Sequence, residues 1–124
     1  MKISKTLIIV VSMVFSAIAG QASAQTKEGS PVIEVVTLKL KDGVTATQFL
    51  PIDQDIQTKY ISKRPGFISR ESAPGPDHTW LVIVHWRSVA DADASMKSFS
   101  TAPASAQFMS MIVPDSMVMT RYGW

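Results

Sequence analysis

Apolar residues run unbroken from Trp80 to Val84, and the run continues through His85 and Trp86 to Arg87-Ser88. A strand with one wet face alternates apolar and polar residues. Thr79 to Arg87 does not, so both of its faces need cover. Val32 to Lys41 reads as another strand, with Ile33, Val35 and Thr37 on one face and Val36, Leu38 and Leu40 on the other. Asp42-Gly43 ends it. Thr45 with Gln48 three residues on predicts a capping box. Phe49, Ile52, Ile56 and Tyr60 follow at helical spacing and predict one buried stripe. Pro51 lacks an N–H and clashes with the preceding turn. Either the helix kinks there, or its main segment begins at Pro51, with Asp53 and Asp55 near its N-terminus. Pro65-Gly66 stops the helix.

Phe67 to Ala73 predicts a second strand, and Ala73 to His78 a turn in which Pro74-Gly75 suits the central positions of type II. Thr79 to Arg87 completes a hairpin. Ser88, with Asp91 three residues on, predicts the next helix cap. Val89, Ala92, Met96 and Phe99 are its expected buried stripe. Pro103 opens a short helix with Ala104, Phe108 and Met111 inward, and Pro114 ends it. Asp115 to Trp124 predicts the last strand, with Met117, Met119 and Arg121 on one face and Val118, Thr120 and Tyr122 on the other. The fold class is therefore α+β. The order is that of the ferredoxin-like split βαβ, a four-stranded antiparallel sheet with helices on one face. The other face is apolar and bare. A second copy of the chain is its simplest cover.

The first residues read as an address. Lys2 and Lys5 precede an apolar run from Leu7 to Ala19, and Ala22-Ser23-Ala24 suits signal peptidase. The run is shorter than the ~20 residues of a spanning helix. Residues 1–24 are thus expected to be a signal peptide, 25–31 a flexible leader, and 32–124 the domain. The expected location is secreted or periplasmic, with no membrane attachment after cleavage near Ala24. N-terminal sequencing of the native protein should begin at Gln25, and a retained Met1 would refute the reading. Cleavage changes the charge. The formal +2 of the whole chain is that of Lys2 and Lys5, so the domain is neutral and lacks an electrostatic reason to bind nucleic acid. The chain has no cysteine. Stability must come from the core and from association.

Val36-Thr37-Leu38-Lys39-Leu40-Lys41-Asp42-Gly43, Arg64-Pro65-Gly66-Phe67, Val84-His85-Trp86-Arg87-Ser88 with Ala92, and Ala102-Pro103 give residues 32–124 a family likeness. The chain resembles the antibiotic-biosynthesis-monooxygenase-like (ABM) family of the dimeric α/β-barrel superfamily. The resemblance implies a homodimer whose sheets close face to face into one barrel, and a cleft between each sheet and its helices. It also implies oxidation of phenols or quinols without metal or flavin, so no cofactor is expected. Other relatives degrade haem with an asparagine, a tryptophan and a histidine. The matching positions are about Val36, Ser95 and Ser105, and all three differ.

Oxidising a phenol without a cofactor needs a base, a donor for the oxyanion and a dry aromatic pocket. An imidazole titrates near neutrality, which makes His85 the candidate catalytic residue. Packing explains an isolated histidine equally well. Glu34, Tyr60, Arg70, Trp80 and Trp86 are the candidate substrate-pocket residues. Trp80 and Trp86 share a strand face and also suit plain packing. Glu34 is either a base or a residue of a wet strand end. Met109, Met111, Met117 and Met119 form a soft cluster that suits a flat ligand or gap filling. No histidine spacing resembles a metal site, and no glycine-rich phosphate loop or nucleophile elbow occurs. Two functions stay open. One is a cofactor-independent monooxygenase acting on a small aromatic or quinol. The other is a non-catalytic module that binds a small apolar ligand outside the cytoplasm.

Overall fold

The computed structural model describes residues 29–123. The signal segment 1–24, the first part of the leader and Trp124 lie outside the described residues. The elements are β1 Val32–Lys39, α1 Ala46–Asp55, β2 Phe67–Pro74, β3 Thr79–Trp86, α2 Val89–Phe99, α3 Ser105–Ser110 and β4 Val118–Gly123. The sheet order is β2-β3-β1-β4, and each neighbouring pair is antiparallel. This is the ferredoxin-like arrangement, with the helices packed on one face.

The period of two along each strand sorts the residues. Val32, Val36 and Leu38 of β1 and Trp80, Val82, Val84 and Trp86 of β3 are buried toward the helices. Phe49, Ile56, Ala92 and Phe108 meet them from the helical layer. Phe49 packs edge-on against Trp80 at 5.0 Å between ring centroids. Ile33, Val35, Leu81, Ile83 and His85 lie on the opposite face.

The predicted capping box is present. Thr45 Oγ1 accepts from Gln48 N–H, and Gln48 Oε1 accepts from Thr45 N–H. Pro51 stands inside a continuous α1. The backbone departs from α geometry one turn later, with a π turn at Ile56–Tyr60 and a 3-10 turn at Ile61–Lys63. A π turn advances the inward position by five residues rather than four. Ile61 therefore follows Ile56 into the core, and Tyr60 turns toward α2. Asp53 is not near a helix N-terminus. It lies four residues after Phe49 and is buried.

Three further expectations are corrected. Residues Gly75–His78 turn on Asp77 and His78, both with positive φ, as a type I′ turn requires; Pro74-Gly75 only leads in. The inward residues of α2 are Ala92, Ser95 and Phe99, while Val89 and Met96 are exposed. The first strand ends at Lys39, because Lys39 C=O and Lys41 N–H bond to Val113 and Met111 instead of β4.

Gly66 shows why Arg64-Pro65-Gly66-Phe67 has this composition. Phe67 N–H bonds to Arg64 C=O at 3.2 Å. Proline follows Arg64, and Gly66 has φ +82°. These are the demands of a type II turn. A Cβ there would also overlap the Asp91 carboxyl. That carboxyl accepts from Ser88 Oγ at 3.0 Å, while Ser88 Oγ accepts from Asp91 N–H to cap α2. The turn before β2 and the start of α2 thus interlock.

Candidate functional site

A small cavity of about 60 Å³ lies between the helix-facing side of the sheet and the helical layer. Val36, Val82 and Val84 form its floor, and Ile56, Phe99 and Phe108 contribute to its roof. Ser95 and Met96 of α2 and Met117 before β4 complete the apolar side. Two charged residues share this wall, Glu34 and Arg70. A cavity of this size holds a few waters. Drug-sized ligands occupy ~300–1,000 Å³, so the cleft as it stands is too narrow for one.

Glu34 and Arg70 reach one face of the sheet by different routes. Glu34 follows the simple alternation of β1. Arg70 depends on a bulge in β2. Phe67 pairs with Trp86 and Ser69 with His85, which leaves Ile68 as the extra residue. In a straight strand Phe67 and Arg70 would face opposite ways. The bulge reverses the alternation, so both face the helices. Glu34 and Arg70 then pair with the same residue of β3, Val84, from either side. They flank it in one row across the sheet.

Each charge in this row has its own counter-charge. Arg70 Nη2 donates to Asp53 Oδ1 at 2.7 Å, and Nη1 donates to Asp53 Oδ2 at 3.1 Å. Ser72 Oγ and Trp80 Nε1 also donate to Asp53, at 2.5 and 3.3 Å. The Arg70 and Asp53 side chains are 2% and 1% exposed. Among the described residues this is the most deeply buried ion pair, and its fork is bidentate. Glu34 Oε2 accepts from Arg121 Nε at 3.0 Å, and Oε1 accepts from Trp86 Nε1 at 3.4 Å. Arg121 also donates to Asp93 of α2. Burial alone would lower the Arg121 guanidinium. The hydrogen bonds and charges of Asp93 and Glu34 outweigh it and hold it above its ordinary value.

The structure brings Glu34 and Arg70 into one cleft, with Trp86 beside them as a donor to Glu34 and Trp80 as a donor to Asp53, the partner of Arg70. Tyr60 is adjacent rather than in the wall. Its hydroxyl donates to Ser95 C=O at 2.7 Å and lies 2.5 Å from Ser98 Oγ. This bond ties the π turn to α2. His85 is not in the cleft. It sits on the bare face of the sheet, where Pro31, Ile33, His85, Tyr122 and Gly123 line a shallow hollow of about 410 Å³. Grouping His85 with Trp86 overlooked the parity of β3, since adjacent residues face opposite ways. Of the methionine cluster only Met117 lines the cleft, while Met109 and Met119 are exposed.

Asp53, Ile61, Ser95, Met96 and Arg121 complete the site and were not expected there. Asp53 left a signal. A carboxylate midway along the stripe from Phe49 to Ile56 must find a buried partner. Among the described residues no group of three or more His, Asp or Glu side chains converges to hold a metal ion, and no helix is long and apolar enough to cross a membrane.

No protein-family model and no curated protein sequence matches the chain. Solved structures do. SnoaB, a cofactor-independent oxygenase from Streptomyces nogalater, superposes with a TM-score of 0.61 at 10% identity, over 75% of this chain and 91% of its own. A candidate antibiotic biosynthesis monooxygenase from Caulobacter crescentus CB15 gives 0.62 at 15% identity, over 83% and 97%. The fold is that of the ABM-like proteins. A dimeric ferredoxin-like protein of unknown function from Thermobifida fusca YX gives 0.61 at 13% identity, over 78% and 93%. At these identities the agreement concerns the ABM-like backbone, and the site must be argued from its own residues.

Removing Asp53 strands a buried guanidinium. Asp53→Ala should lower stability by about 3–5 kcal/mol. Asp55→Ala breaks only the exposed pair with Lys59, whose side chains are 67% and 47% exposed, and should cost less than about 1 kcal/mol. Urea unfolding of the two variants checks this, and equal losses would contradict the assignment.

Proposed function

We propose that this ABM-like protein is a cofactor-independent monooxygenase of small phenols or quinols, acting as an exported homodimer. One observation supports the chemistry best: an apolar cleft with a buried carboxylate, Glu34, in its wall. The shared backbone includes that of SnoaB, a cofactor-independent oxygenase. The substrate itself is the reductant. A phenol with an open para position and O₂ give a para-quinone and water, which balances without an external electron donor. The protein's part is to desolvate the ring, accept the phenolic proton and stabilise the resulting charge. Glu34 is the carboxylate available to a ring in the cleft. Each of its oxygens accepts one hydrogen bond and keeps a lone pair. His85 faces away from this space, so the proton-acceptor role passes to Glu34.

The dimer rests on the bare face. Ile33, Val118 and Tyr122 are exposed there, and Val35, Leu81 and Ile83 are half-buried beside them. A contiguous apolar sheet face of this kind is the surface that association covers. The Thermobifida fusca protein of the same fold is described as dimeric.

Oxygen uptake by the purified protein with a panel of hydroquinones and alkylphenols tests the chemistry. Turnover is expected with the native protein. Glu34→Gln should lower it by roughly 100-fold, the scale of a lost proton acceptor, while His85→Ala keeps most of it. Binding without any uptake would replace the oxygenase with the small-ligand module. Sedimentation tests the dimer separately. The native protein should sediment as two copies. Ile83→Lys, which places a charge in the centre of the bare face, should yield a folded monomer. A native monomer at micromolar concentration would refute the proposal.

A further inference from the structure

The cleft makes a specific demand on its occupant. Among the described residues, Arg64 Nε and Arg70 Nε are the buried side-chain polar atoms without a hydrogen-bond partner. Arg70 lines the cleft. Its Nη atoms are committed to Asp53, to Asp53 C=O at 3.5 Å and to Gln57 Oε1 at 3.5 Å. The fork against Asp53 fixes the guanidinium plane, so Nε–H cannot swing away to find another acceptor. Glu34, the other charged group on the wall, already has a donor on each oxygen.

A buried donor left unpaired is unfavourable by about 1–3 kcal/mol. Native structures seldom tolerate such a group without a water, an ion or a functional reason. The cleft wall that Arg70 shares is mainly apolar, with Val82, Val84, Ile56 and Phe99, and its polar members Glu34 and Ser95 are not bonded to Nε. The backbone bulge at Ile68 turns Arg70 to this face, and bulges commonly re-aim a side chain beside a site.

We infer that Arg70 Nε–H holds the oxygen of the ligand, so the cleft selects a compact apolar ring that carries a phenolic or carbonyl oxygen over the same ring without it. The inference rests on the cleft being the ligand site of the proposed oxygenase, and it adds the group that sets the ligand's orientation. The oxygen lies at the Arg70 end of the row, and the body of the ring covers Val84 toward Glu34. Adjacent strands are ~4.8 Å apart, so the Cα atoms of Arg70 and Glu34 are separated by about 10 Å across Val84. That span matches one ring once the cleft widens to admit it. Arg70 is a binding and positioning residue, and in a para-quinol the second hydroxyl, at the far end of the ring, is the one whose proton Glu34 accepts.

The test uses p-cresol and p-xylene, which share a body and differ by one hydroxyl against one methyl. Binding to the purified native protein is followed by NMR of arginine Nε–H signals, with Arg70→Lys identifying the Arg70 signal. p-Cresol should bind at least about tenfold more tightly than p-xylene, the effect of one hydrogen bond to a charged donor. It should also shift the Arg70 Nε–H proton downfield and slow its exchange with solvent. Arg70→Lys keeps a cation opposite Asp53 but has no Nε, and should bind both probes alike. If that variant does not fold, the native signal decides. Equal binding of both probes with an unmoved Nε–H signal overturns the role of Arg70, and quinol-dependent oxygen uptake would still uphold the oxygenase. Failure of both probes to bind at millimolar concentration removes the cleft as a ligand site and takes both readings with it.

Discussion

A charged group leaves water only if another charge meets it. On the helix-facing side of this sheet Glu34, Asp53 and Arg70 all do so, with Arg121 at the margin. Asp53 and Arg70 join α1 to β2. Glu34 and Arg121 join β1 to β4, and Arg121 reaches on to Asp93 of α2. The two pairs stand at the ends of one row across the sheet, with Val84 between them. The cleft is the apolar gap that separates them. Its position is thus set by electrostatics as much as by packing, because neither pair can move inward without leaving a charge uncompensated. Trp80 and Trp86 serve the same arrangement. Each ring fills the core and each indole N–H supports a carboxylate, which is the usual way a buried tryptophan meets its polar requirement.

The fold was legible in the sequence because its signals are local. Caps, chain breaks and the apolar runs of β1 and β3 each depend on a few neighbouring residues, and Thr45 with Gln48 and Ser88 with Asp91 behave as their spacing indicates. The site was legible only in part. Glu34, Arg70, Trp80 and Trp86 were found as residue types. Their grouping with His85 was not, because it required counting faces along β3. Two irregularities also changed phase. The extra residue at Ile68 turned Arg70 inward, and the π turn at Ile56–Tyr60 exchanged Tyr60 for Ile61. Neither a bulge nor a π turn has a strong sequence signature, and both lie beside the cleft. That is where local regularity is most often given up for function.

The two faces of the sheet divide the labour. The helix-facing side carries the paired charges and the cleft. The bare side carries Ile33, Val35, Leu81, Ile83 and His85, with little charge and no cover from the other described residues. In the proposed dimer that face becomes a second core, and a domain without disulfides gains the burial that its size denies it. His85 would then be enclosed beside Tyr122 and Ile33, where hydrogen bonding across the interface explains a histidine as well as catalysis does.

A cleft of about 60 Å³ must widen before a ring enters, and its walls are not held equally. The floor is the sheet, held by continuous ladders. α1 is pinned through Asp53 to Arg70, Ser72 and Trp80. α2 is held differently. Of its inward residues Ala92 and Ser95 are small, and beyond its capped first turn its polar ties are the Asp93–Arg121 pair and the Tyr60 hydroxyl of the π turn. Asp93 is 63% exposed, and an ion pair so open to water contributes little. Met96 and Phe99 travel with this helix, and an unbranched methionine adapts to a changed shape at small cost. A shift of α2 away from Glu34 would widen the cleft between Val84 and Phe99 and leave both buried carboxylates with their arginines. For the proposed ligand, the element best placed to give way is therefore the one whose movement uncovers no buried charge.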